Sequence, residues 1–260
     1  MKLATFLPLG GGEPLAGEVR DGGVVAFDPP ATVLGLLANG APSAASGQAY
    51  ALHDVVLMAP HVPRAIFCIG LNYRRHARET GHEPLSAPIV FLKLPSSVAP
   101  PGGPVPRPPV VRRLDYEGEL AVVMGRDGAV AGYTVADDVS ARELQGREPQ
   151  WTRAKAADGF CPFGPWVTTA DEVPDPQDLR LRTWVNGELR QDARTSDLVF
   201  GIDELIGFIS ETCTLEPGDL ILTGTPGGVG MAMDPPQFLV PGDVVAIEIE
   251  RLGRIEHPVV

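Results

Sequence analysis

Lysine is nearly missing from this chain of 260 residues: only Lys2, Lys93 and Lys155 are lysines, and the other 18 of its 21 basic residues are arginines. Against that background a retained lysine marks a place where a compact ammonium is needed, which singles out Lys93 and Lys155. Cysteine is scarce too. Cys68, Cys161 and Cys213 are odd in number and widely spaced, which argues against a disulfide framework and against thiolate zinc, and fits free thiols in a reducing compartment. No apolar run approaches the ~20 residues of a membrane-spanning helix. The run from Leu3 to Leu9 is interrupted by Pro8 and followed by Gly10-Gly11-Gly12, unlike a signal peptide. Positive charge is also short, at a net −12, which argues against nucleic-acid and acidic-membrane partners. A cytoplasmic protein acting on small molecules is expected.

What is present is ample apolar residue content, 44%, enough for a sizeable core. Residues 1–60 read as short strands broken by Gly and Pro, with one helical stretch at 31–39, and form a small N-terminal domain. Residues 61–260 form the larger unit. Its strands are expected at 65–69, 89–94, 114–124, 129–136, 179–185, 220–223 and 244–250, and its few helices at 73–81, from 141 and at 203–211. There is no βαβ rhythm. The pattern predicts a β-rich mixed α/β fold.

The stretch Asp115-Tyr116-Glu117-Gly118-Glu119 carries the strongest chemical signal. A strand's period of two puts its three carboxylates on the face that Ala121 and Val123 later give to the core. Such a cluster must be protonated, solvated at a strand end, or neutralised by a cation, and a hard divalent metal is the simplest solution. Gly125-Arg126-Asp127-Gly128 then closes a hairpin. If Met124 faces Ala129, Asp138 lies opposite Asp115 and diagonal to Glu117, roughly 7 Å across the ladder. Register is not fixed by sequence, so Asp137 rivals Asp138 and Asp115 rivals either glutamate. A solvated edge hairpin is the plainer alternative.

Ser140-Ala141-Arg142-Glu143 has the form of a capping box. Arg142 and Gln145 follow on one helix face, the arginine able to fork a substrate carboxylate or to pair with a neighbouring acid. Further upstream, Asn72 can cap a helix on which His76 and Glu79 stand three apart. A carboxylate beside an imidazole keeps it basic enough to take a proton, although a surface histidine would look the same. Residues 223–230, Thr-Gly-Thr-Pro-Gly-Gly-Val-Gly, lack the features of a nucleotide loop and are either an anion contact or a tight turn. His53, His61, His82 and His257 read as incidental.

Taken together, Ile69-Gly70-Leu71-Asn72-Tyr73 with His76 and Glu79, Phe91-Leu92-Lys93, Asp115 to Val123, Asp138-Val139-Ser140-Ala141-Arg142, Lys155 and residues 223–230 resemble the fumarylacetoacetate hydrolase family over residues 64–260. The resemblance implies a mixed β-sandwich roll around a metal site and a homodimer. It implies Glu117, Glu119 and Asp138 as ligands of Mg2+, with Mn2+ as the alternative. His76 and Glu79 would activate water, Lys155 would stand beside the reacting carbonyl, and Lys93, Arg142, Gln145 and Thr225 would contact substrate. Ala156 after Lys155, and Asp137 before Asp138, depart from the usual serine and asparagine.

The expected activity is Mg2+-dependent hydrolysis of a carbon–carbon bond in a 2,4-diketo acid of the acylpyruvate or fumarylpyruvate type. The alternatives are isomerisation or decarboxylation of 2-hydroxyhepta-2,4-diene-1,7-dioate or oxaloacetate through the same enolate, and a non-catalytic keto-acid-binding protein.

Overall fold

The alternation of apolar side chains along Gly118–Met124 decides where that strand lies. Leu120, Val122 and Met124 join one apolar core, while Ala121 and Val123 join a second on the opposite face. A strand covered on both faces is a central strand. The computed structural model describes residues 1–40, 44–79, 81 and 85–260. The protein is a β-rich mixed α/β structure, with one twelve-stranded sheet, one four-stranded sheet, a two-stranded ladder and only short helices among the described residues.

The main path of the large sheet runs Ala49–Ala51, Gly23–Ala26, Leu15–Arg20, Lys2–Pro8, Cys161–Thr169, Val130–Asp137, Gly118–Met124, Leu220–Leu222, Ile66–Gly70, Ile89–Lys93. Lys2 pairs with Thr168, so the sheet passes without a break from the first 60 residues into the rest. The smaller sheet, in the order Glu188–Arg194, Arg180–Val185, Val244–Ile249, Gly253–Pro258, packs against it. Leu120, Val122 and Val135 meet Leu181, Val245, Ile247 and Ile255 between the two layers.

Several elements differ from the sequence reading, among them the unforeseen strand Gly253–Pro258 and short helix Thr152–Lys155. The expected strand 114–124 is two, Leu114–Asp115 and Gly118–Met124, because the chain leaves the ladder at Tyr116 and Glu117. Cys161–Thr169, with two prolines and a glycine, reads as turns yet lies inside the sheet. Its ladder to Val130–Asp137 shifts register between Tyr133 and Val135, which accommodates residues that cannot hold a regular central strand. The polar strand Glu188–Arg194 follows Asn186-Gly187, both at positive φ, the signature of a tight hairpin turn. The helix expected at 73–81 is Arg74–Glu79; Thr80, and also His82, lie outside the described residues. Among the described residues no helix is long and apolar enough to cross a membrane.

Candidate active site

Hairpin register brings the acids together, but not in the expected alignment. Gly118 faces Asp137 and Ser140 faces Asp115, two residues away from the register in which Met124 would face Ala129. A bulge after Val123 and a turn with Asp127 at φ 57° take up the difference. Glu117, rather than Asp115, therefore stands across from Asp138, whose N–H donates to Glu117 O at 2.9 Å.

The two rival acids are engaged elsewhere. Asp115 accepts from Gly230 N at 2.8 Å, Met231 N at 3.0 Å and Arg142 Nε at 2.8 Å. Asp137 accepts from Glu117 N at 2.8 Å and from His257 Nε2 at 2.9 Å. Glu117, Glu119 and Asp138 form the remaining cluster, buried, with one oxygen from each lying within 4.8 Å of the others.

Electrostatics test whether this cluster suits a cation. Five buried carboxylates (Asp115, Glu117, Glu119, Asp137, Asp138) face three buried cations (Lys93, Arg142, Lys155), a formal excess of two negative charges in the interior. The strain falls on Glu119: burial first, then the charges of Asp138 and Glu117, push its carboxyl well above the usual range. Burial would raise Glu117 as well, but Arg142 and Lys155 outweigh it and hold Glu117 below the ordinary value. An oxygen-rich pocket two charges short fits a hard divalent ion.

Lys155 comes from the short helix Thr152–Lys155 and donates to Glu117 Oε2 and Asp138 Oδ2, both at 2.7 Å. Burial would lower its pKa, but the charges of Asp138 and Glu117 raise it, so it stands in the site as an ammonium, not as a base. Lys93 sits behind the cluster with a wholly buried side chain, 2.8 Å from Asp138 Oδ1 and bonded to Val139 O and Lys155 O. The family resemblance implies a substrate contact for this lysine. The structure makes it a counter-ion for Asp138 that does not line the cavity.

A cavity of about 510 Å3 reaches the cluster at Glu117 and is lined also by His76, Glu79, Arg142, Gln145, Lys155 and Thr225, with Ile69, Phe91, Trp151 and Met231 as its apolar wall. His76 Nδ1 lies 3.0 Å from Glu79 Oε1. Donation to that carboxylate puts the proton on Nδ1 and the lone pair on Nε2. Both Glu79 oxygens also accept from Gly228 N at 3.1 Å. Arg142 pairs with neighbouring acids: Nε holds Asp115, Nη1 holds Glu117 and Gln145 Oε1, and Nη2 has no hydrogen-bond partner among the described residues. Gln145 spends its carbonyl on Arg142, which leaves its amide N–H2. Thr225 gives its hydroxyl hydrogen to Gly118 O at 3.1 Å and accepts from Gln191 Nε2 at 2.8 Å.

The loop at 223–230 turns out to grip the protein's own acids. Gly224 N donates to Glu119 at 2.7 Å, Gly228 N to Glu79 and Gly230 N to Asp115. Gly228, at φ +104°, lies so close to Arg190 that a Cβ would fall 2.1 Å from Arg190 O, so no other residue fits there. Two expected caps are absent. Asn72 instead donates to Phe200 O and Thr223 O and accepts from Phe200 N. Ser140 donates to Asp138 O, and Glu143 accepts from Arg112 N and Arg113 N, outside its own helix. Two residues around the site carry no signal of their own in the sequence: His257, which reads as incidental, and Gln191, a buried amide bridging Gly118 N, Thr225 and Pro226 O. Only the Asn-Gly turn before Gln191's strand could have signalled it.

Comparison with known proteins agrees with this geometry. Residues 65–260 match the family described as fumarylacetoacetate (FAA) hydrolase, C-terminal. An oxaloacetate tautomerase, mitochondrial, of Xenopus laevis is 40% identical and aligns with 100% of this chain and 90% of its own. The solved fumarylacetoacetate hydrolase of Exiguobacterium antarcticum superposes with TM-score 0.90 at 35% identity, covering 100% of this chain and 99% of that one. The structure of 2-hydroxyhepta-2,4-diene-1,7-dioate isomerase from Mycobacterium marinum gives TM-score 0.82 at 35% identity, with 100% and 98% covered. A buried acidic cluster, a histidine–glutamate pair and an ammonium around one cavity, in a chain so closely matched over most of its length, make this protein an enzyme of the fumarylacetoacetate hydrolase family.

Proposed function

We propose that the enzyme moves a proton between carbon and oxygen of a 2-oxo acid, interconverting its enol and keto forms. The observation that carries this reading is the His76–Glu79 pair, 3.0 Å apart, on the same cavity as the Lys155 ammonium. His76 is the group that takes up and returns the migrating proton, and Glu79, 3.0 Å from it, steadies the imidazolium that results. Lys155 offers positive charge where an oxyanion develops. Arg142 Nη2 and the Gln145 amide are the donors for the acid's carboxylate. Glu117, Glu119 and Asp138 would hold Mg2+ or Mn2+, which when bound polarises the oxygens of the oxo acid.

The tautomerase and isomerase relatives weigh toward proton transfer ahead of the hydrolysis that the motifs alone suggest, and they displace the non-catalytic reading. Hydrolysis stays as the second reading because the same dyad can deprotonate water. Hydroxide would add to the distal carbonyl of a 2,4-dioxo acid, the carbon–carbon bond would break, and the products would be a carboxylate and pyruvate. A homodimer, which the family resemblance implies, and a cytoplasmic location, which the three free cysteines suit, belong to the same proposal.

The test follows loss of the enol absorbance of oxaloacetate, with chelator and after Mg2+ is restored. Acceleration that chelator abolishes and Mg2+ restores is expected. A rate with saturating Mg2+ equal to the uncatalysed one overturns the reading. Release of pyruvate and a carboxylic acid from acylpyruvates, without enol turnover, moves the assignment to hydrolysis.

A further inference from the structure

The last strand of the chain, Gly253–Pro258, belongs to the four-stranded sheet, yet one of its side chains reaches the acidic cluster in the other layer. His257 is wholly buried, and its Nε2 lies 2.9 Å from Asp137 Oδ2. The opposite oxygen, Asp137 Oδ1, accepts the backbone N–H of Glu117 at 2.8 Å. One residue on, Asp138 N donates to Glu117 O at 2.9 Å. Glu117 lies between its two strands, in neither ladder, so these two bonds carry the positioning that a regular strand would otherwise provide.

We infer that His257 is a positioning residue: acting through Asp137, it fixes Glu117 beside Asp138 and thereby sets the affinity of the acidic cluster for a divalent cation. The inference rests on the reading of Glu117, Glu119 and Asp138 as the cation's ligands. The chemistry explains why an aspartate stands at 137. Both of its oxygens must accept, one from a backbone N–H and one from an imidazole N–H, and a carboxylate supplies two acceptors where an asparagine supplies one acceptor and one donor. His257 Nδ1 has no hydrogen-bond partner among the described residues, so Nε2 is the nitrogen that puts its proton to use. With the imidazole removed, Asp137 keeps only the Glu117 N–H among these two partners, so one of the two bonds that position Glu117 is loosened while the ligands themselves remain.

The experiment measures Mn2+ binding to chelator-stripped protein by calorimetry and by the paramagnetic resonance of free Mn2+. It compares wild type, His257→Leu and His257→Gln, and records the melting temperature of each without metal. His257→Leu is expected to bind Mn2+ about 10- to 100-fold more weakly, the usual cost of losing a residue that orients a ligand. His257→Gln, whose amide nitrogen reaches the place of Nε2, is expected to recover most of the affinity. If His257→Leu does not fold, His257→Asn, too short to reach Asp137, takes its place against the glutamine variant. Variants that melt lower but bind Mn2+ as wild type does overturn the inference alone. Wild type that binds no Mn2+ overturns the ligand assignment and the inference with it.

Discussion

Lys155 Nζ stands 2.7 Å from Glu117 Oε2 and holds Asp138 Oδ2 at the same distance, so one ammonium serves two of the three clustered carboxylates. That geometry gives the lysine two separable duties, charge balance within the cluster and stabilisation of negative charge on substrate. Lys155→Met removes both. Turnover is expected to fall about 100- to 1000-fold, as when a preorganised donor to an oxyanion is lost. In chelator the variant melts below wild type, because two buried carboxylates lose their counter-charge. Added Mg2+ raises its melting temperature more than it raises that of wild type. Steady-state kinetics and melting curves with and without Mg2+ check this, and an unchanged turnover number removes Lys155 from the chemistry.

Glu79 bonds His76 and Gly228, not the acidic cluster. Glu79→Gln keeps an acceptor but loses the charge that steadies an imidazolium. Turnover is expected to drop about 100-fold or more, with Mn2+ affinity as in wild type. Should Mn2+ affinity fall in step with turnover, the dyad would be part of the cation site and not a separate proton-transfer unit.

Glu119 is the carboxylate least comfortable without a cation, raised by burial and by its neighbours Asp138 and Glu117. Glu119→Gln keeps an oxygen for Gly224 N while removing the repulsion. The variant is expected to melt higher than wild type in chelator and to gain nothing from Mg2+, a stability increase obtained at the expense of the site. Melting curves across a Mg2+ titration read both effects. A variant still stabilised by Mg2+ as wild type is would show that the ion does not depend on Glu119.

How much of this was legible in the sequence depends on the range of the interaction. Local patterns served well: alternation placed Gly118–Met124 in the core, and the spacing of His76 and Glu79 made them partners. Register did not follow, because the turn at Asp127 and the bulge after Val123 each move the cross-strand neighbours by one residue, and together they exchanged Asp115 for Glu117 opposite Asp138. The roles of Lys93 and Thr225 turned on which atoms their polar groups meet. Lys93 meets Asp138 and Thr225 meets Gly118 O, contacts made across many intervening residues. His257 and Asp137 are 120 residues apart and come from different sheets, and nothing near His257 in the chain marks it. The glycines of residues 223–230 signalled a tight loop, but not that its amides hold carboxylates of the protein itself.

His61 supplies a titration distant from the cluster. Its Nε2 lies 2.7 Å from Gly218 O, its Nδ1 is buried without a hydrogen-bond partner among the described residues, and its ring packs edge-on against Phe163. Burial pushes its pKa below the ordinary 6.5, only partly offset by the Gly218 carbonyl and the charge of Asp219. In the unfolded chain the imidazole takes up its proton as pH falls through about 6.5, while the folded protein resists until lower pH. Below that point the unfolded state holds more protons, so stability is full above 6.5, declines as pH falls past it, and levels off once the folded imidazole also protonates. The slope contributed by one such group is at most about 1.4 kcal/mol per pH unit. His61→Gln keeps a donor for Gly218 O without the titration. Chemical denaturation of both proteins from about pH 7.5 down to about pH 5 is expected to give curves that converge in slope above 6.5 and separate below it, wild type falling faster. Parallel curves across that range would mean that His61 takes its proton as readily in the fold as out of it.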